Sequence, residues 1–276
     1  MKPATVLCST ILILLTACGR RVSADPAPAA TPHSAPIALS SGSTAPVPCS
    51  LSPDQLPREP VESLVEVWNG EPACLLAQLP QEDIALYGLY SEDKSQSLVL
   101  RYGEELTAYE LPWLGPRCIP PQFFSGDYDG DGDRETLVLT YTGSGTGVSS
   151  WTLTLLERTE EGWEAVTLPD ASYQEDLSPL LACRWLEGTA VLSLGEISLP
   201  LPALSEYVEV GEALEPVAGT VLHYEAEGDG ITAILDVGVF CEAYATPYYC
   251  ARLEGRLVYD RKGFSLSEPR LSPLEE

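Results

Sequence analysis

The chain has 276 residues, with 15 Lys and Arg against 41 Asp and Glu, for a net charge of −26. That balance argues against nucleic acid as a partner, since phosphate backbones are held by Lys/Arg stripes that replace counterions. It argues equally against electrostatic docking on anionic lipid. The hydrophobic share of 45% is that of a folded protein, while 24 Pro and 22 Gly interrupt the chain too often for long helices.

At the N-terminus, Lys2 precedes an apolar run from Val6 to Leu15. The run is shorter than the roughly 20 residues of a membrane-spanning helix but suits the core of a signal peptide. It ends in Leu15-Thr16-Ala17-Cys18, which resembles the lipobox of bacterial lipoproteins. The resemblance implies a signal peptide over 1–17, cleavage before Cys18, and acyl chains (palmitate or similar) on that residue. Two or three such chains suffice for stable attachment, so the expected location is the extracytoplasmic face of the cell membrane. Residues 18–60 then read as the lipidated Cys and a Pro/Ala/Ser-rich tether, with nine prolines between Gly19 and Pro60 and no apolar period.

Of the eight cysteines, Cys8 lies in the signal peptide and Cys18 carries the lipid, leaving Cys49, Cys74, Cys118, Cys183, Cys241 and Cys250. An even number outside the cytoplasm is compatible with three disulfides, whose pairing the spacing does not fix. Cys241 and Cys250 flank a loop and are the candidate local bridge; buried free thiols are the alternative. No Cys spacing has the pattern of a zinc site.

From residue 61 to 276 the expectation is a mainly β domain of antiparallel sheets. Ser97 to Tyr102, Thr136 to Thr142, Trp151 to Leu156 and Ile231 to Phe240 are β-branched, aromatic and aliphatic runs bounded by turn residues. Arg256 to Tyr259, Asp260 to Gly263 and Phe264 to Leu266 read as a hairpin. One helix is expected between Asp170 and Ala182, where Leu177, Leu180 and Leu181 share a face. Strands on both sides of it suggest two β lobes, 61–168 and 183–276, joined by a short helix.

The segment most informative about chemistry is Gly126-Asp127-Tyr128-Asp129-Gly130-Asp131-Gly132-Asp133-Arg134-Glu135. Acids recur at alternate positions, a repulsive arrangement unless a cation sits among them. Calcium takes six to eight hard oxygens, and a curled chain brings alternate side chains inward. Gly130 and Gly132 supply the positive φ the curl needs. The metal candidates are Asp127, Asp129, Asp131, Asp133 and Glu135, with Asp133 contributing its backbone carbonyl. The start of the segment fits an EF-hand, but Val138 stands where an EF-hand has its bidentate Glu, and a strand follows. The segment more closely resembles the D-x-D-G-D-G-x-x-D/E calcium loop of FG-GAP and VCBS repeats, which lies between two strands. A single copy is present, so the resemblance carries the loop and not a propeller. The order LRYG, PWLGPR, GDYDGDGDRE, GSGTGVS between Leu98 and Glu157 is similar to Firmicutes lipoproteins with one such loop, a group with no assigned activity.

Other constellations are weaker. Gly143 to Gly147 lacks the following helix of a phosphate loop and reads as a hairpin, a candidate for a composite site with the acidic loop because the two are close in sequence. His223, the one histidine outside the tether, shares a strand face with Glu225 and reads as solvated, so no catalytic residue is assigned and the sequence leaves enzymatic activity open. Trp113, Trp151, Trp163 and Trp185 read mainly as core. The expected function is therefore a binding or structural module with a calcium-stabilised loop and a protein or glycan ligand. Two alternatives stand beside it: a carbohydrate-active or glycan-binding protein using carboxylates and aromatics, and an inhibitor or sensor acting through the loop from Tyr244 to Tyr249.

Overall fold

A computed structural model describes residues 35–49, 51–59, 73–90, 96–112, 119–160, 162–242 and 245–274. Wherever alternation of apolar and polar residues is read in these segments, a strand forms. β1 (Ile37–Leu39) and β2 (Gly42–Thr44) come first. A meander follows of β3 (Ala73–Leu79), β4 (Ile84–Tyr90), β5 (Gln96–Tyr102) and β6 (Glu105–Tyr109). Next come β7 (Gln122–Gly126), β8 (Glu135–Gly145), β9 (Val148–Thr159) and β10 (Gly162–Leu168). The helix α1 (Ala171–Leu177) leads into a second meander, β11 (Leu181–Leu186), β12 (Thr189–Leu194) and β13 (Ile197–Leu201). The chain closes on β14 (Glu215–Glu227), β15 (Gly230–Phe240), β16 (Tyr248–Tyr259) and β17 (Phe264–Pro273).

The two meanders are separate sheets, and the remaining strands form one large sheet in the order β1-β17-β16-β15-β14-β9-β10-β2, with β8 and then β7 branching from β9. Its pairs are antiparallel except β14 with β9, which meet in parallel at Val221 and Ser149. β1 pairs with β17 and β2 with β10, yet only Ser40 and Ser41 separate β1 from β2. The two ends of the path are therefore joined by one short strap, and the sheet closes on itself. Helix α1 holds the strap at its midpoint. Asp176 accepts from the Ser40 N–H at 2.6 Å and from its hydroxyl at 3.1 Å, while the Ser172 hydroxyl donates to the Ser40 carbonyl at 2.5 Å.

The closed sheet gathers the main core. Leu137, Leu139, Leu153, Leu155, Leu235 and Leu253 are all at most 1% exposed, and Leu177 of α1 and Leu192 of β12 pack on the same cluster. The opposite faces of β8–β10 are buried too: Val138, Leu156 and Ala165 pack against Ile84, Leu86, Leu98 and Leu100 of the first meander. Burial on both faces is why β9 is buried without a break from Ser150 to Leu156, Thr152 and Thr154 included, although its sequence alternates. The far face of that meander is covered by Val47, Cys49, Leu51 and Leu56.

Helix α1 lies directly on the backbone of β14. Gly219 has φ +94, and a Cβ built there would meet the Tyr173 Cβ at 2.9 Å and the Gln174 nitrogen at 3.2 Å. A left-handed backbone and a backbone–helix contact both require glycine at this bulge. Gly219→Ala is expected to destabilise by at least about 2 kcal/mol, read as a lower denaturant midpoint with unchanged slope.

The mainly β, antiparallel reading of the sequence is what the fold shows, with four differences in detail. Helix α1 ends at Leu177, and a 3-10 turn over Ser178–Leu180 follows, because Pro179 cannot supply the next helical N–H. The helix does not divide two lobes: strands before and after it share the closed sheet, and the described residues fall in one compact unit. The stretch expected as tether is structured from Ile37, since β1 and β2 are part of that sheet. The expected Cys241–Cys250 bridge is not formed, and both are free thiols, as are Cys49 and Cys183. The register explains it: β15 and β16 pair Val239 with Tyr248, so Cys241 and Cys250 lie on opposite sides of that pair. At a rise of about 3.3 Å per residue their Cα atoms are about 10 Å or more apart, beyond the reach of a disulfide. Burial pushes the Cys250 thiol up to about 12 and Cys183 up to about 11, so neither is a reactive thiolate. Cys18 with its lipobox, Cys118 and Trp113 lie outside the described residues.

Candidate functional site

β7 and β8 pair from Gln122↔Leu139 to Gly126↔Glu135, so the acidic segment is the connection of a two-stranded ribbon. Its chain is folded by its own carboxylates. Asp127 accepts from the N–H groups of Gly130 at 2.8 Å and Gly132 at 3.1 Å. Asp129 accepts from Asp131 at 3.0 Å, and Asp131 from Asp133 at 2.8 Å. Gly130 and Gly132 take φ +79 and +96, the conformations anticipated for them. From outside the loop, Asp229 in the β14–β15 turn accepts from the Asp127 N–H at 3.0 Å.

Three of the five acids meet. One carboxylate oxygen each of Asp127, Asp129 and Glu135 lie within 4.8 Å of one another. Asp131 is turned instead to Arg261, and the Asp133 carboxylate is not part of the group. Glu135 is 1% exposed and accepts from the Tyr128 N–H at 2.7 Å. Its pKa is raised, chiefly by burial and further by Asp129 and Asp127, against the opposing hydrogen bonds from the Tyr128 and Asp129 amides. Glu157 of β9 is raised as well, first by burial, with the Tyr259 hydroxyl opposing and Asp129 adding to the rise.

Arg261 is the cation set against this cluster. It stands in the β16–β17 turn with φ +63 and reaches Asp129 at 2.5 Å, Glu157 at 3.2 Å and Asp131. The Asp129 side chain is only 4% exposed, whereas Arg261 is 52% exposed. One guanidinium thus contacts three carboxylates, those of Asp129, Asp131 and Glu157, and does not balance the charge of the cluster with Asp127 and Glu135. An all-oxygen donor set with surplus negative charge is of the kind that could hold a hard divalent cation.

The sequence matches no model of a known protein family and no curated protein.

A cleft of about 680 Å³ adjoins the loop. Asp131, Glu135, Glu157 and Arg261 line it together with Tyr102 and Trp163. The two rings meet edge to face at 5.5 Å, and the Arg158 guanidinium lies 4.6 Å from the Tyr102 centroid. Arg261, Glu157 and this aromatic pair escape sequence reasoning, because each comes from a different strand or turn. A faint signal exists for Arg261: it is part of one of the few basic dipeptides, Arg261-Lys262, in an acidic chain.

The other singled-out residues do not join this site. The Gly143–Gly147 hairpin sits at the far end of β8 from Glu135, about 30 Å away at strand rise, so the two loops form no composite site. His223 and Glu225 are exposed on one face of β14, with Leu222 and Tyr224 buried on the other. Trp151 is buried, and Trp185 donates to the Glu212 carbonyl at 2.9 Å. Tyr248 stacks on Tyr207 at 4.8 Å, and the Tyr249 hydroxyl donates to the Gly147 carbonyl at 2.6 Å. Those two tyrosines are fastened to the fold, contrary to a protruding recognition loop; Tyr244 lies outside the described residues. Among the described residues no helix is long and apolar enough to cross a membrane.

Proposed function

We propose that this chain is an extracytoplasmic lipoprotein, anchored through Cys18, whose Asp127–Glu135 loop binds calcium as a structural element beside a ligand-binding cleft. The supporting observation is the convergence of Asp127, Asp129 and Glu135 within 4.8 Å in a site with more carboxylates than cations. Asp127, Asp129 and Glu135 would hold the ion, with Asp131 and the Asp133 carbonyl as the further oxygens of the loop. Bound there, calcium supplies charge neutralisation and a cross-link between β7 and β8, and no bond chemistry. The anchor rests on Leu15-Thr16-Ala17-Cys18 alone.

The test is thermal melting with calcium and with chelator. At about tenfold its dissociation constant the ion contributes about 1.4 kcal/mol, or about 3–6 °C for a domain of this size. Asp129→Ala combined with Asp131→Ala is expected to abolish the shift. A melting curve that is the same in millimolar calcium and in chelator sinks the proposal.

The adjoining cleft favours a glycan as the second reading of the ligand, because Tyr102 and Trp163 stand beside carboxylates there. Rings of this kind stack on sugars and carboxylates accept from their hydroxyls. Quenching of tryptophan fluorescence by soluble oligosaccharides would support it.

A further inference from the structure

We propose that Arg261 is a built-in counter-cation that competes with calcium for the acidic loop and must leave Asp129 and Asp131 before the ion enters. The inference rests on the calcium reading and adds to it the regulation of the same site. Arg261 comes from the β16–β17 turn, far from the loop in sequence, and spends its guanidinium on Asp129, Asp131 and Glu157. Asp129 belongs both to this ion-pair set and to the carboxylate group with Asp127 and Glu135. The Asp129 carboxylate cannot serve a guanidinium and a hard divalent ion at full strength at once, since both are cations drawing on its lone pairs.

The geometry also says what happens to Arg261 on release. Its side chain is half exposed and already lines the 680 Å³ cleft, next to Arg134 and Arg158. Displacement moves one positive charge from the loop to the cleft without any backbone element having to unfold. Calcium occupancy of the loop thereby raises the positive charge available to a ligand in the cleft, coupling the two through a single side chain. Such coupling is a difference in affinity between two states of one residue.

The experiment is calorimetric titration of calcium chloride into the wild-type protein, Arg261→Gln and Arg261→Lys, with melting in chelator alongside. Arg261→Gln is expected to bind calcium at least about tenfold more tightly than wild type, with Arg261→Lys in between. In chelator the order reverses, and Arg261→Gln melts below wild type because the cluster has lost its only cation among these contacts. A residue with a merely structural role would weaken both folding and calcium binding. Equal or weaker calcium affinity in Arg261→Gln, with wild type still binding, overturns this inference and leaves the calcium reading intact. Absence of calcium binding in all three proteins overturns the calcium reading and this inference with it. Should Arg261→Gln fail to fold in chelator, recovery of its β circular dichroism on adding calcium supports the competition, and failure to recover overturns it.

Discussion

Deleting Ile37–Thr44 is expected to abolish the monomeric, cooperatively melting protein. The strap is short, but each half completes a different edge: Ile37, Ala38 and Leu39 pair with Leu266, Ser265 and Phe264, and Gly42, Ser43 and Thr44 with Thr167, Val166 and Ala165. Without it, β17 and β10 both present open backbone, the geometry that recruits another chain. The core is opened too, since Leu39 is 5% exposed and packs with Leu266, itself fully buried. The ring would then be held across its middle by the one parallel pair Val221↔Ser149. Size-exclusion chromatography should show higher oligomers and calorimetry a lost or broadened transition. A deleted chain that stays monomeric with an unshifted melting temperature would show that the sheet does not depend on closure. Asp176→Ala, which frees Ser40 from α1, should move in the same direction by a smaller amount.

Leu153→Ala is the second large effect, with an expected loss of about 2–5 kcal/mol. Leu153 is fully buried on β9, the strand to which β8, β10 and β14 all attach. It pairs with Leu139 of β8 on one side and Leu168 of β10 on the other, each at most 1% exposed. Truncation therefore leaves a void bounded by strands that are themselves fixed on both faces, a setting that relaxes little. The expected fall in melting temperature is about 5–15 °C. Leu186→Ala, at a leucine 57% exposed on β11, serves as the control and should stay within about 0.5 kcal/mol. Equal effects at the two positions would contradict the assigned core.

The strands themselves are legible in the sequence because each is set by neighbours a few residues away. Alternation within Thr136 to Thr142 or Ile231 to Phe240 needs no distant information, and neither do the glycines that turn the chain at 130 and 132. What the local pattern withholds is pairing between strands remote in sequence. Two groups of strands on either side of α1 suggest two lobes, yet the same residues serve equally well as two ribbons joined edge to edge. The choice is made by the pair Val221↔Ser149 and by a strap that looks, from its serines and the prolines flanking it, like unstructured linker. The candidate site divides the same way. Asp127, Asp129 and Glu135 announce themselves by spacing, whereas Arg261 and Glu157 arrive from β16–β17 and β9, and nothing within their own segments marks them.

The strap has a mechanical meaning as well. Ile37 is the first of the described residues that the closed sheet holds, so tension passed along the chain from its N-terminal side meets β1. There it meets three residue pairs with β17, and behind them the Asp176 and Ser172 bonds to Ser40. For a protein held by its N-terminal end, load would arrive first at the joint that closes the ring, and α1 would act as the brake on its opening.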